Sequence, residues 1–352
     1  MENLLETYGE GAVLLAVGAL VGILFGAAAQ HSRFCLRAAT VEVADATPGP
    51  RLSIWFISFA AAVFSVQFAI AMDWLRVSDA RQLANVGSLS GAIIGGLMFG
   101  SGMILARGCA SRLLVLSATG NLRAIVTGLV LTIVAQASLT GILAPSREAL
   151  SSLWQVPGGE ARDMLNLLGI GAGAAAAIAA VTLAASVWYA VRSQVRLSHM
   201  IAAGLVGLAV ALGWIGTYWV AQSSFEVVPI TSVTFTGPST DTLMGLVAAR
   251  DMPMGFGVGL VLGVFAGAGL AALLTGEWKI QRFGADTPME LYLIGAALMG
   301  FGSMLAGGCA VGAGMSGGAI FALTAWVAVF CMWLGAMATR RLMQSTALRR
   351  TA

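Results

Sequence analysis

Nine apolar segments, each long enough to cross a lipid bilayer as a helix, follow one another along this chain. A helix needs about 20 apolar residues to span about 30 Å of hydrocarbon. Only 10% of the residues are charged and the mean hydropathy is +0.88, whereas soluble domains contain about 25% charged residues. We therefore expect an all-α polytopic membrane protein, which excludes a soluble enzyme, a nucleic-acid-binding protein and a disordered scaffold. The predicted spans cover roughly 11–29, 53–72, 88–106, 122–143, 165–191, 199–221, 255–275, 289–306 and 319–338.

The basic residues are distributed unequally between the two ends of these spans. Cytoplasmic connections of membrane proteins carry an excess of Lys and Arg. Nine crossings place the two termini on opposite sides, so we expect the N-terminus outside and residues 339–352 as a cytoplasmic tail. With this orientation 14 of the 19 Lys and Arg residues fall on the inner side, and the five on the outer side are Arg76, Arg81, Arg147, Arg162 and Arg250.

Residues 95–110 and 295–310 share a sequence pattern. They read GGLMFGSGMILARGCA and GAALMGFGSMLAGGCA, and both end in Gly-Cys-Ala. These segments close the third and eighth predicted spans, which enter the membrane from opposite faces. We therefore expect a single transport domain, residues 11–338, built as an inverted pseudo-two-fold repeat. Its parts are a first half over 11–143, a linking helix over 165–191 and a second half over 199–338.

A short segment follows each Gly-Cys-Ala motif and is broken by small residues. The chain reads ASRLLVLSATGNLRA after Cys109 and AVGAGMSGGAIFALT after Cys309, and neither segment is long enough to cross the bilayer. Non-helical backbone at membrane depth is tolerated only where it lines a protein cavity. We therefore expect re-entrant half-helices, whose N-terminal N–H groups and positive dipole ends suit an anion. Two ordinary loops with flexible glycines are the alternative.

Three cysteines lie where a polar substrate can meet backbone or charge. Cys109 and Cys309 each follow a glycine of the repeated motif, whereas Cys35 stands between two arginines just after the first span. A thiol is a weak hydrogen-bond donor with a polarizable sulfur, so it suits a substrate that carries a soft sulfur better than a hard oxyanion. The predicted substrate-binding residues are Cys35, Cys109 and Cys309, with Gly108 and Gly308 as the supporting motif. Cys331, inside the ninth span, is expected to be an ordinary buried residue.

Arginines near these cysteines are candidates for attracting an anion. The group consists of Arg33, Arg37, Arg107 and Arg112, and a cluster of cations raises the local concentration of an anion. We select Arg37 and Arg107 for this role, although the topology rule alone also accounts for basic residues here. The sequence contains no phosphate-binding loop, no HExxH motif and no paired metal ligands, so we expect no cofactor and no metal.

At these residues the chain resembles the YeeE/YedE family of inner-membrane proteins, which carry a sulfur-transport domain. The resemblance covers nearly the whole chain and implies an hourglass of nine spans plus re-entrant helices. Cys35, Cys109 and Cys309 would then lie along a central path and interact with thiosulfate. The motifs that carry the resemblance are Gly108-Cys109, the stretch from Gly307 to Gly312, and the stretch from Phe25-Gly26 to Phe34-Cys35. The chain departs from the family at Ala310 and Ala313, where members often have Thr and Asn.

The family includes bacterial thiosulfate importers, so the resemblance implies an inner-membrane transporter of thiosulfate or a related sulfur-containing anion, not an enzyme. Other members serve selenium metabolism or work beside small sulfur-carrier proteins, which implies a cytoplasmic sulfur-carrier protein as a partner. The alternative is a membrane thiol-redox or persulfide-transfer protein that uses the same cysteines. Such enzymes usually carry a reactive pair close in sequence, and no two cysteines of this chain are near neighbours.

The longest outer connection spans residues 222–254. Its second part contains Ser239, Thr240 and Asp241, residue types that favour the N-cap position before a helix. We expect a short amphipathic helix after them. The connection is compatible both with a lid over an outer vestibule and with a plain loop.

Overall fold

The computed structural model describes residues 2–248, 252, 254–282 and 289–351 of the chain. Over these residues nearly all regular structure is helical, and the single sheet pairs two strands of two residues, β1 (Gly87–Ser88) and β2 (Gln155–Val156). Nine helical stretches in this described part are long and apolar enough to cross a membrane. The predicted all-α polytopic fold is therefore confirmed.

The sixteen α-helices are joined by short connections, by one 3-10 turn at Gly159–Arg162 and by one π-helix at Ala310–Gly317. Long helices belonging to the nine membrane-spanning stretches are α2, α4, α6, α8, α11, α12, α14, α15 and α16. In chain order the helices are α1 (Glu2–Tyr8), α2 (Glu10–Ser32), α3 (Leu36–Ala44), α4 (Pro50–Ala71), α5 (Arg81–Ala84), α6 (Leu89–Leu105), α7 (Ala110–Ala118), α8 (Leu122–Leu139), α9 (Ala144–Ser152), α10 (Met164–Leu168), α11 (Ala172–Arg192), α12 (Leu197–Ser223), α13 (Thr236–Ala248), α14 (Phe256–Leu274), α15 (Met289–Leu305) and α16 (Leu323–Thr351).

Most predicted boundaries agree with these helices within a few residues, and two differ for visible reasons. The fifth span begins at Ala172 rather than 165, because Gly169 adopts a left-handed conformation (φ 65°) that ends the short helix α10. The ninth begins at Leu323 and continues to Thr351, since no Gly or Pro interrupts residues 336–351. The predicted tail is therefore helical. Arg250, one of the five basic residues predicted outside, lies beyond the described residues.

Four of the short helices between the spans bear on the predicted site and on the outer connection. They are α3, α7, α13 and the π-helix. Two of them follow Cys109 and Cys309, where re-entrant half-helices are expected. The third, α3, was not predicted. The fourth, α13, begins at Thr236, so Ser239, Thr240 and Asp241 lie inside the helix and the prediction that they precede it was wrong.

Glycines bring α6 and α15 into backbone contact. A Cβ atom on Gly95 would lie 2.5 Å from the carbonyl oxygen of Gly302, and one on Gly295 would lie 2.6 Å from the carbonyl oxygen of Gly102. These contacts are reciprocal, because adding 200 to Gly95 and Gly102 gives Gly295 and Gly302. Small residues at such crossings let helices in membranes approach closely.

Other packed pairs of spans are also related by replacing each helix with its equivalent in the other half. The equivalent pairs are α2 and α12, α4 and α14, α6 and α15, and α8 and α16. Helix α2 packs against α14, as α12 packs against α4. Helix α6 packs against α16, as α15 packs against α8. Each of these contacts thus has a counterpart between the corresponding helices of the other half, whereas the packing of α4 against the linking helix α11 has no comparable counterpart among the contacts of the described residues.

Candidate functional site

Cys35, Cys109 and Cys309 share one local backbone geometry. Each stands at the N-cap position of a short helix, in extended conformation, before α3, α7 and the π-helix respectively. A left-handed residue lies two positions before each cysteine and ends the preceding long helix. These residues are Arg33 (φ 56°), Arg107 (φ 53°) and Gly307 (φ 77°). The structure therefore places all three predicted cysteines at breaks between a long and a short helix.

The breaks after α6 and α15 differ in exposure from the break after α2. Helices α6 and α15 have 17 residues each, which is about 25 Å at 1.5 Å per residue. Cys109 and Cys309, which follow these helices, are each only 1% exposed and lie within the protein. Helix α2 has 23 residues, and Cys35, which follows it, is partly exposed.

Cys35 and Cys109 come together in the folded chain, although they are far apart in sequence. Their side chains lie within interaction range of each other. The sulfur of Cys109 also lies 3.4 Å from the hydroxyl oxygen of Ser111. The guanidinium of Arg112 is close enough to interact electrostatically with both thiols. One end of the candidate path is therefore polar and cationic.

Cys309 has different surroundings. Its sulfur accepts a hydrogen bond of 3.5 Å from the backbone N–H of Gly312, and every residue of the π-helix is buried. Gly308 allows the turn, because a Cβ atom there would lie 2.8 Å from the backbone nitrogen of Ala313. A π-helix is rare and frequently marks a functional site. Here its residues, AVGAGMSG, include no charged side chain.

The connection after α12 enters the protein and lies against the π-helix. The Ser316 hydroxyl donates a 2.6 Å hydrogen bond to the carbonyl oxygen of Val233. Phe235, just before α13, is 1% exposed, and its ring centroid is 5.1 Å from that of Phe25. Ser232, Val233, Phe235 and Thr236 are thus buried beside the Cys309 segment, whereas Phe225 and Val227, earlier in the 222–254 connection, are fully exposed.

Helix α13 lines a cavity of about 540 Å³ where it meets the start of α14. Burial raises the pKa of the Asp241 carboxyl, which faces this cavity from α13. The cavity lies at the end of the molecule where α2 and α14 begin, which is the predicted outer face. Its lining includes Gln136, Asp241, Met244, Met254 and Gly257.

The two selected arginines take different positions. Arg37 lies beside Cys35 and is partly buried, and its Nε atom has no hydrogen-bond partner in the described part of the chain. Arg107 is exposed, and its guanidinium lies 5.9 Å from the ring centroid of Tyr292. Cys331 packs inside the helix bundle, where a Cβ atom on Gly96 would lie 2.8 Å from its own Cβ.

A hydrogen-bonded chain that the sequence did not predict extends from Arg112 toward the surface. Arg112 Nη1 donates to Gln30 Oε1 at 3.3 Å, and Gln30 Nε2 donates to Glu277 Oε2 at 2.9 Å. The other carboxylate oxygen of Glu277 accepts from Arg33 at 3.2 Å. The ends of α2, α7 and α14 supply these residues, so only the folded structure brings them together.

A sequence model of the family described as "Sulphur transport" matches residues 31–338, which include all four cysteines. The chain belongs to this sulfur-transport family. It is 24% identical over 348 residues to the thiosulfate transporter TsuA of Escherichia coli (strain K12), with 92% of each chain covered. It is 26% identical over 336 residues to the thiosulfate transporter TsuA of Spirochaeta thermophila, covering 92% of this chain and 97% of that one. The predicted membership in the YeeE/YedE sulfur-transport family is confirmed.

Proposed function

We propose that this protein imports thiosulfate, or a related sulfur-containing anion, across the inner membrane. The path is lined by Cys35, Cys109 and Cys309. One observation carries the proposal: three thiols cap short helices at breaks in the spans, two of them buried within the bundle. The sulfur-transport family and the two relatives named thiosulfate transporters supply the substrate class.

The chemistry of the three caps suits thiosulfate. Its terminal sulfur is soft and polarizable, and a thiol offers it a weak S–H donor together with a polarizable surface. Its oxygens can accept hydrogen bonds from backbone N–H groups at the N-termini of α7 and the π-helix, where the helix dipole is positive. None of these contacts is strong alone, so each cysteine releases the anion again, as conduction requires.

The proposed architecture is an inverted repeat within one transport domain, residues 11–338. The reciprocal glycine contacts of α6 and α15 and the exchange of packing partners between the halves support it. We place the N-terminus outside and the C-terminal end of α16 in the cytoplasm. In this orientation Cys309 belongs to the outer half of the path, and Cys35 and Cys109 belong to the inner half. A reporter enzyme active only in the cytoplasm, fused after residue 352, is expected to be active.

The arginines make the Cys35 and Cys109 end of the path more attractive to an anion than the Cys309 end. An anion that leaves the neutral surroundings of Cys309 meets Arg112 and Arg37 at the other two thiols. Buried or partly buried cations attract an anion more strongly than exposed ones, because solvent screens them less. A cytoplasmic sulfur-carrier protein is the predicted recipient of the cargo on the inner side.

Uptake of radiolabelled thiosulfate into proteoliposomes tests this function. We expect Cys109→Ser and Cys309→Ser each to reduce the initial rate at least about tenfold, since a hydroxyl keeps the size but loses the polarizable sulfur. Cys331→Ser is the matched control, because that residue lies inside α16 away from the three helix breaks and packs against Gly96, and it should retain most of the rate. Equal uptake by all three variants and the unmodified protein would contradict a path lined by thiols.

A thiol-redox or persulfide-transfer function is the second candidate, and the proximity of Cys35 and Cys109 favours it. Two thiols within interaction range are able to act as a pair even though they are distant in sequence. Quinone-dependent oxidation of these thiols by the purified protein tests this candidate. Turnover that disappears in Cys35→Ser would support it, and absence of turnover would leave transport as the sole function.

A further inference from the structure

A second cavity lies at the predicted inner face, where α2 and α14 end and α12 begins. Its volume is about 190 Å³, which is large enough for a small polyatomic anion with water, since a water molecule occupies about 30 Å³. The polar residues that line it are Gln30, His31, Arg33, Arg196, His199, Thr275 and Glu277.

The cavity carries more positive than negative charge. Among the residues that the structure describes, Glu277 is the single carboxylate lining it, and it forms a salt bridge of 3.2 Å with Arg33. Arg196 forms no salt bridge with any residue that the structure describes. The rings of His31 and His199 meet edge to face, with centroids 5.2 Å apart, and offer N–H donors on the same cavity. This set of donors is typical of a site for a small anion.

The carboxylate of Glu277 occupies the donors that such an anion would use. It accepts from Arg33 with one oxygen and from Gln30 with the other. The side chains of Arg33 and Glu277 are 51% and 40% exposed, and exposed ion pairs contribute little free energy. An incoming anion is therefore able to replace Glu277 on Arg33.

Gln30 connects this cavity to the cysteines. It is 6% exposed, and its amide bonds Arg112 on one side and Glu277 on the other. When an anion displaces Glu277, the Gln30 amide nitrogen can donate to that anion while its oxygen still accepts from Arg112. A single amide thus separates the cavity from the side chain that interacts with Cys35 and Cys109.

We propose that this cavity is a second anion-binding site, which takes small divalent oxyanions and thioanions alike, and that Glu277 is its internal competitor. The inference rests on the proposed function for the identity of the transported anion, which reaches the cavity after Cys35 and Cys109. The cavity contains no thiol, so it does not distinguish sulfate from thiosulfate. That property separates it from the cysteine path.

Sulfate binding to the full-length purified protein, measured by titration calorimetry, tests the site. We expect Glu277→Gln to tighten sulfate binding about five- to tenfold, because the competing charge is removed, and Arg196→Gln to weaken it by a similar factor. Thiosulfate added to a Cys109→Ser, Cys309→Ser background should follow the same changes. Arg196 is exposed, so its substitution tests the site even if Glu277→Gln does not fold.

Two matched controls separate a local effect from a change in net charge. Glu148→Gln removes an acid from another exposed salt bridge, with Arg147, and Arg192→Gln removes an arginine that stacks on Trp188. Both should change sulfate affinity less than about twofold. Unchanged affinity in Glu277→Gln and Arg196→Gln, or an equal change in the controls, would overturn the proposal. The result is independent of the uptake assay, so failure of the cysteine path would leave this test intact.

Discussion

The segments around Cys109 and Cys309 are built alike but offer a substrate different surroundings. Both cysteines follow a glycine, cap a short helix and are 1% exposed. Cys109 has the Ser111 hydroxyl at 3.4 Å and the cationic side chain of Arg112 nearby. Cys309 has the backbone N–H of Gly312 at 3.5 Å and is followed by a helix without charged side chains. Under the proposed function, the shared geometry recognises the same anion twice, and the cation near Cys109 makes that end the more attractive one.

The largest expected effect concerns the reciprocal glycine contacts between α6 and α15, the helices that precede Cys109 and Cys309. Gly95→Val and Gly295→Val should each lower the free energy of unfolding by about 3 kcal/mol, because their new side chains meet the backbone of the facing helix. Thermal unfolding of the purified protein measures this. Gly128→Val is the control, since a Cβ there would meet nothing within 4 Å. A large effect at Gly95 without one at Gly295 would break the equivalence.

The next effect concerns the positive charge of Arg112, which lies near Cys109 and has no equivalent in the π-helix after Cys309. Arg112→Gln should reduce thiosulfate uptake into proteoliposomes about tenfold, because it removes the cation that interacts with Cys35 and Cys109. Arg192→Gln removes the same charge from an exposed position on the predicted inner side, and we expect less than about a twofold change there. If the two variants transport equally well, the charge near Cys109 has no role in the path.

The nine spans were predictable because bilayer thickness fixes how long an apolar segment must be. The breaks before Cys109 and Cys309 were predictable from the repeated Gly-Cys-Ala. The break before Cys35 was not, because Phe34 rather than a glycine precedes this cysteine and its sequence has no repeated copy in the second half.

The polar residues near Cys35 and Cys109 could not be predicted from the sequence either. Gln30 lies on α2, Arg112 lies on α7 and Glu277 lies just after α14, and no spacing rule connects them. The meeting of Cys35 with Cys109 depends likewise on how α3 and α7 pack. The helix within the outer connection was predicted, but its start at Thr236 was not, since the residue before it, Phe235, is not a type that favours the N-cap position.

The smallest expected effect concerns the far end of α3, which positions Cys35. Arg340 donates two hydrogen bonds to the Asp45 carboxylate, at 2.8 and 3.0 Å, and Gln344 donates a third. We expect Asp45→Asn to lower the free energy of unfolding by about 1 kcal/mol at pH 7. Asp73→Asn, in an exposed pair at 4.0 Å, should change it little.

This effect has a defined pH dependence. The hydrogen bonds from Arg340 lower the pKa of the Asp45 carboxyl below its usual range. A lowered pKa stabilises the folded state fully above the ordinary value of about 3.9 and loses that contribution as the pH falls through the lowered value. The difference in free energy of unfolding between Asp45→Asn and the unmodified protein, measured by thermal unfolding, should therefore become smaller below about pH 4. A difference that does not change with pH would contradict this role for the carboxylate.

The central claim is that thiols select an anion by its soft sulfur. Its most direct test compares the affinities for thiosulfate and sulfate, measured by anion-dependent thermal stabilisation of the unmodified protein and of Cys309→Ser. Cys309 is the suitable thiol, because the charged cavity at the inner face does not contact it. We predict that the unmodified protein binds thiosulfate at least about tenfold more tightly than sulfate, and that Cys309→Ser loses most of this preference. Equal stabilisation of the unmodified protein by the two anions would contradict the account.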